Sequence, residues 1–153
     1  MFAPQPPRIT LASAVHQDAV AELVRVTGME VDVGAELERK YARLWLAWIP
    51  ERPGPVGFLL GWDVADELHV IDVATHPELR RRGVARALLD CAVNHARARQ
   101  ARLVLLEVRA GNGPAIALYT SHGFEETTVR RHYYSDGENA LEMALDLAAA
   151  PPC

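Results

Sequence analysis

The chain lacks the features that would send it through or into a membrane. No apolar run approaches the roughly 18 residues of a membrane span, and the opening MFAPQPPR has no apolar core of an export signal. Cysteine is scarce: Cys91 and Cys153 give neither a disulfide framework nor a CxxC metal spacing. These absences predict a cytoplasmic protein in a reducing compartment, with no membrane partner. Among the six histidines no pair stands at ligand spacing, HExxH is absent, and no metal is expected. There is no GxxxxGK(S/T) loop, no GxGxxG after the first strand and no GxSxG elbow, which removes the sequence support for an ATPase, a dinucleotide dehydrogenase or a serine hydrolase. Internal repeats are missing too, and proline-rich pieces are confined to the two ends and PERPGP at 50–55.

What is present suits one globular domain over 1–153, with 1–7 as a flexible leader and 148–153 as a tail. Half of the 153 residues are hydrophobic and the formal charge is -4. RITLA near residue 8 reads as a strand. SAVHQDAVAELVRVTG reads as a helix, with Ala14, Ala19, Leu23 and Val26 near helical spacing and Gly28 closing it. A second helix is expected around Ala35–Leu44. LWLAWI, PVGFLLGWDV and ELHVIDVAT are β-rich runs between turn signals, which predicts an antiparallel meander. From residue 82 the period changes to helix, with Val84, Ala85, Leu88, Leu89, Ala92, Val93 and Ala96 on one stripe. RLVLLEVR reads as a buried strand by its apolar run, GPAIALYTSHG as a short helix, and FEETTVRRHYY with NALEMALDL as a final hairpin turned at Asp136-Gly137. The fold class is α/β with a mixed sheet.

One segment points to a ligand. PELRRRGVARALLD sets three arginines before a glycine and a helix, in a chain with more acid than base. Arginine at a helix start opposes the helix dipole, so a solvated basic face and an anion site compete as readings. A helix N-terminus offers unpaired N–H groups and partial positive charge. Gly83 lets the backbone approach an anion, Ala85 keeps the next contact small, and Arg80, Arg81 and Arg82 add attraction. A nucleic-acid module would need a basic domain with interleaved aromatics, and a net charge of -4 argues against it.

VATHPELRRRGVARALL is similar to the acetyl-coenzyme A signature of the GNAT N-acetyltransferase superfamily, (Q/R)xxGx(G/A), with Arg80, Gly83 and Ala85 in its three defined places. The run LLEVRAGNGPAIALYTSHGFEETTVRRHYYSDGENALEMAL resembles more narrowly the ribosomal-protein alanine N-acetyltransferases and the catalytic subunits of N-terminal acetyltransferase complexes. The resemblance covers 68–147. It implies a mostly antiparallel sheet whose central parallel strands splay to admit the pantetheine arm of acetyl-CoA, the co-substrate. Val73, Ala74 and Thr75 would pair with that arm. The N–H groups of Arg81, Arg82, Gly83, Val84, Ala85 and Arg86 would hold the pyrophosphate, and Asn112 would touch the cofactor further along.

The same resemblance assigns chemistry to Glu107 and Tyr119. Acetyl transfer to an amine needs a base for the nitrogen, a donor for the carbonyl oxygen and an acid for the leaving thiolate. Glu107, in LLEVR, is the expected base, against the plainer reading of an outward residue on an alternating strand. Tyr119 is the expected acid, against plain aromatic packing. A backbone N–H near Val73 or Ala74 would serve the carbonyl oxygen. Attack is direct, so Cys91 is structural. Tyr133, Tyr134 and SDGENA match the hairpin that flanks a peptide, favouring a protein N-terminus, such as that of a ribosomal protein, as substrate. A small amine, a lysine side chain or a non-catalytic coenzyme A sensor are the alternatives. Where the bacterial ribosomal-protein enzymes carry Pro-Trp-Ser, this chain has TGMEVDVGAELERK, whose Glu30, Asp32 and Glu36 either attract a basic peptide or serve solubility. Arg130 and Arg131 steer the cofactor or decorate a strand edge.

Overall fold

A computed structural model describes residues 5–148. Most of the expected tail, and the first four residues of the expected leader, lie outside that range. Strands β1 (Arg8–Leu11), β2 (Ala42–Trp48), β3 (Gly57–Val64), β4 (Glu67–Thr75), β5 (Leu103–Arg109), β6 (Glu125–Arg130) and β7 (Ala140–Asp146) form one sheet in the order β1-β2-β3-β4-β5-β7-β6. Every neighbouring pair is antiparallel except β4–β5, which is parallel. Helices α1 (Gln17–Thr27), α2 (Val33–Glu38), α3 (Val84–Ala98) and α4 (Gly113–Ser121) complete the α/β fold. Among the described residues no helix is long and apolar enough to cross a membrane.

The meander strands read as near-continuous apolar runs because they are buried on both faces. Leu44, Leu46, Phe58 and Leu60 pack under Val20, Leu23 and Val24 of α1 and Val33 of α2. On the other face Trp45, Ala47 and Leu59 meet Val84, Leu88, Leu89, Ala92, Val93 and Ala96 of α3, with Tyr119 of α4 and Phe124. The predicted stripe of α3 is therefore its buried face, except for Ala85, which is only partly buried at the helix start. Gly28 ends α1 in the left-handed region at φ 73°, and the hairpin turn runs through Gly137.

Three expectations are corrected. The second helix is Val33–Glu38, not 35–44. Arg39 turns to extended backbone, and residues from Ala42 are claimed by β2, whose apolar side chains fill both faces between β1 and β3. Strand β5 is not buried throughout: Val104, Leu106 and Val108 point into the α3 side, whereas Glu107 and Arg109 are exposed. Glu36 is not an exposed loop acid. It is 8 % exposed, bonded to Arg39 and accepting from Trp62 Nε1 at 2.9 Å.

Candidate active site

The parallel pairing of β4 and β5 stops early. Rungs run only from Glu67↔Leu103 to Val70↔Leu106. Beyond them β4 continues to Thr75 on β3 alone, and β5 continues to Arg109 on β7 alone. The two strands thus leave a splay, with 71–75 on one bank and 107–109 on the other. Val73, Ala74 and Thr75 lie on the first bank, paired on their outer side with Leu59, Phe58 and Gly57.

The start of α3 sits against that bank. A Cβ on Gly57 would lie 2.5 Å from Val84 Cγ1 and 3.1 Å from the Ala74 carbonyl, so glycine there lets helix and sheet close up. Gly83 is the N-cap at φ 77°, a conformation that suits glycine, and no side chain caps the helix behind it. Nothing lies within 4 Å of where its Cβ would be. An α3 start with no side-chain cap and open space beside Gly83 fits an anion such as a pyrophosphate. Arg81 also takes positive φ, at 65°. Arg82 reaches Glu51 at 3.4 Å, and Arg80 and Arg81 are exposed. Arginines uncompensated at the positive end of a helix dipole are unfavourable unless an anion arrives to answer them.

The opposite bank carries Glu107 on the face away from α3. Its Oε1 is 3.2 Å from Arg130 Nε, and Arg130 Nη2 donates to Glu142 at 2.9 Å. Glu142 is the cross-strand partner of Glu107. Arg130 holds the Glu142 carboxyl below the usual carboxylate range. Tyr133 joins the group, its phenol pKa raised chiefly by a hydrogen bond to Glu107. Tyr133 and Tyr134 stack edge-on at 5.1 Å, and the Arg109 guanidinium lies 4.0 Å over the Tyr134 ring while its Nη1 bonds Asp136 and Glu138, each at 2.9 Å. Hence Arg130 does more than decorate a strand edge: it clamps two carboxylates. Arg131 is exposed.

Tyr119 is buried from the α3 side, with its ring 5.9 Å from that of Phe124. Burial, then the nearby Asp72 and Tyr134, push its pKa up to about 12, so the phenol keeps its proton at neutral pH. Asn112 caps α4, its Oδ1 accepting from Ala115 N at 3.2 Å, which leaves its amide nitrogen for other contacts. Cys91 is half-buried against the core on the α3 side, and burial raises its thiol pKa, the opposite of an activated nucleophile. At the end of α4 Ser121 is exposed, whereas His122 is partly buried. His122 Nε2 meets Asp90 at 2.7 Å and its Nδ1 lies 3.1 Å from the Leu118 carbonyl, tying the end of α4 to α3.

Of the residues the sequence singles out, Val73, Ala74 and Thr75 line one bank of the splay with the α3 start against it, and Glu107 with Tyr133 and Tyr134 gather at the other, while Arg80 and Arg81 are exposed. One neighbour escapes that reading, Asp72, and Arg130 enters it without its part as a clamp on Glu107 and Glu142. No group of three or more potential metal ligands occurs among the described residues.

A seven-stranded sheet splayed between its parallel strands, with an uncapped helix start at the opening, defines a class, and the comparison with known families agrees with it. The chain belongs to the acetyltransferase (GNAT) family, whose profile matches residues 14–124. Within that family it is 44 % identical over 88 residues to the ribosomal protein bS18-alanine N-acetyltransferase of Escherichia coli K12, a match covering 56 % of this chain and 60 % of that enzyme. It is 45 % identical over 80 residues to the N-alpha-acetyltransferase of Sulfurisphaera tokodaii, covering 52 % of this chain and 48 % of the other. The chain thus spans about half to 60 % of these relatives' own length. The crystal structure of the E. coli ribosomal-protein alanine N-acetyltransferase superposes with a TM-score of 0.83 at 29 % identity, over 95 % of this chain and 96 % of that one.

Proposed function

We propose that the chain transfers an acetyl group from acetyl-CoA to the α-amino group of a protein N-terminus, a ribosomal protein being the favoured acceptor. The observation that carries this reading is the pairing of two groups at one splay: Glu107, a carboxylate held by Arg130 and Tyr133, and Tyr119, a phenol that keeps its proton, beside the uncapped start of α3. One relative is named an N-alpha-acetyltransferase and another a ribosomal protein bS18-alanine N-acetyltransferase, which supports the acceptor class.

Acetyl-CoA supplies the activated acetyl thioester. The N–H groups from Arg81 to Arg86 bind its pyrophosphate, with Arg80 adding charge. Backbone groups of Val73, Ala74 and Thr75 align the arm along the open edge of β4, Asn112 contacts it further on, and an N–H near Val73 or Ala74 serves the carbonyl oxygen. Glu107 accepts a proton from the attacking nitrogen and Tyr119 gives one to the departing sulfur. Tyr133 and Tyr134 flank the acceptor chain. An α-amino group titrates at roughly 7.7–8.0, against about 10.4 for lysine, so this machinery has less to do with an N-terminus than with a side chain.

Turnover against peptides with free or blocked N-termini tests the reading. Activity confined to free ends is the expected result. Equal rates on blocked peptides carrying lysine overturn it, and binding of acetyl-CoA without turnover on any amine leaves a coenzyme A sensor.

A further inference from the structure

Of the carboxylates around the splay, Glu107 and Glu142 share Arg130, and Glu36 has Arg39 and Trp62 Nε1. Asp72 differs. Among the described residues no N–H, hydroxyl or cation lies within bonding distance of its carboxylate. Its electrostatic neighbours are Glu36 from α2, Tyr119 from α4 and Tyr134 from the hairpin, none of them cationic. Across the splay stands Glu107, already paired.

The backbone aims this residue deliberately. Leu60 pairs with Asp72 but Gly61 pairs with Val70, so Ile71 is an extra residue without a partner on β3. Such a bulge reverses which side chains face which way. Leu68 and Val70 point to the α3 side, where uninterrupted alternation would also send Asp72. Past the bulge Val73 packs on that side and Ala74 on the α1–α2 side. Asp72 therefore shares the face of Ala74 and, on the other bank, of Glu107. A half-buried carboxylate desolvated without a partner is costly, and what would satisfy it is a cation bearing N–H donors.

We propose that Asp72 docks the ammonium group of the acceptor and takes its first proton, which rests on the acetyl-transfer reading above. The ammonium gives one N–H proton to Asp72 and becomes a nucleophilic amine. As the N–C bond forms and the C–S bond breaks, the nitrogen loses a second proton to Glu107 while sulfur gains one from Tyr119. The proton on Asp72 restores Tyr119, and the proton on Glu107 leaves to water. The balance is one ammonium and one thioester converted to an amide, a thiol and a released proton. Burial and Glu36 raise the Asp72 pKa to about 6, nearer to that of an α-amine than an ordinary carboxylate would be.

Asp72→Asn keeps the shape and removes the charge. The expected result is a rise in acceptor KM of about tenfold or more, as loss of a charged hydrogen bond implies, with acetyl-CoA affinity by calorimetry unchanged. The acid limb of kcat/KM near pH 6 should vanish. Wild-type protein loaded with coenzyme A should bind a free-amine peptide more tightly than its N-acetylated form, and the variant should lose that preference. An unchanged acceptor KM and pH profile in an active enzyme overturns the role of Asp72 and leaves the acetyl-transfer reading standing. Loss of acetyl-CoA affinity in the variant also overturns it, marking the residue as a support of the nucleotide side. Wild-type protein inert toward every amine removes the function and this role together.

Discussion

The two banks of the splay are built on opposite electrostatic plans. The β5 bank is saturated: Glu107 and Glu142 are spanned by Arg130, and Arg109 is held by Asp136, Glu138 and the Tyr134 ring. The β4 bank has an apolar stretch, an open backbone edge and one carboxylate with no cation. The contrast teaches a division of labour. Charges on the β5 bank are fixed before any ligand arrives, which gives Glu107 a defined position at no cost during reaction. The β4 bank leaves its hydrogen-bonding groups and its charge for the ligands to satisfy.

The largest break in this contrast comes from the saturated bank. Glu107→Gln is expected to lower kcat by about 10²–10⁴-fold with acetyl-CoA affinity intact, the range for losing a positioned base. Wild-type rates in a steady-state assay would remove Glu107 from the chemistry. A smaller effect follows from Arg130→Met, which leaves the side-chain stem and deletes the clamp. Displacing a reacting group costs rate, here about tenfold. The variant also has a signature in stability. Arg130 depresses the Glu142 pKa, so the stabilisation it contributes is present above the unfolded value and is lost as pH falls through the folded one. Arg130→Met should therefore melt below wild type at pH 7 and converge with it in acid. A gap that persists at low pH would mean that Arg130 acts by packing alone.

Most of this arrangement was legible from residue patterns, and what was hidden has physical causes. The meander, the stripe of α3 and the glycine at its start follow from local periodicity and turn chemistry, and the structure has them where the sequence indicates. Glu107 was assigned by the family resemblance, with an acid interrupting an apolar strand as its local signal. The same signal is present at Asp72 in HVIDVAT, but alternation alone would turn it into the core, and only the bulge at Ile71 brings it to the working face. Arg130 was hidden because its role depends on the register of β6 against β7 and of β7 against β5, a relation between residues 107, 130 and 142 that no local window contains. Glu36 misled for the converse reason: its partner Trp62 is on β3, 26 residues away.

The smallest expected effect bears on the open bank. Asp72 carries a pKa raised from 3.8 to about 6, chiefly by burial and then by Glu36. Below the unfolded value the group is protonated in both states and makes no difference to stability. Between the two values the folded chain keeps a proton that the unfolded chain releases, so stability declines as pH rises, and above about 6 the whole penalty is in force. Asp72→Asn has no charge to desolvate. Its melting temperature should match wild type near pH 4 and exceed it at pH 8, by roughly a few degrees at most because the carboxylate is still partly hydrated. That outcome, a variant sturdier at neutral pH and poorer with the acceptor, is the trade expected where a destabilising charge is kept for a ligand. A melting curve lower than wild type at pH 8 would show instead that Asp72 has a stabilising partner, and the two banks would then not differ in kind.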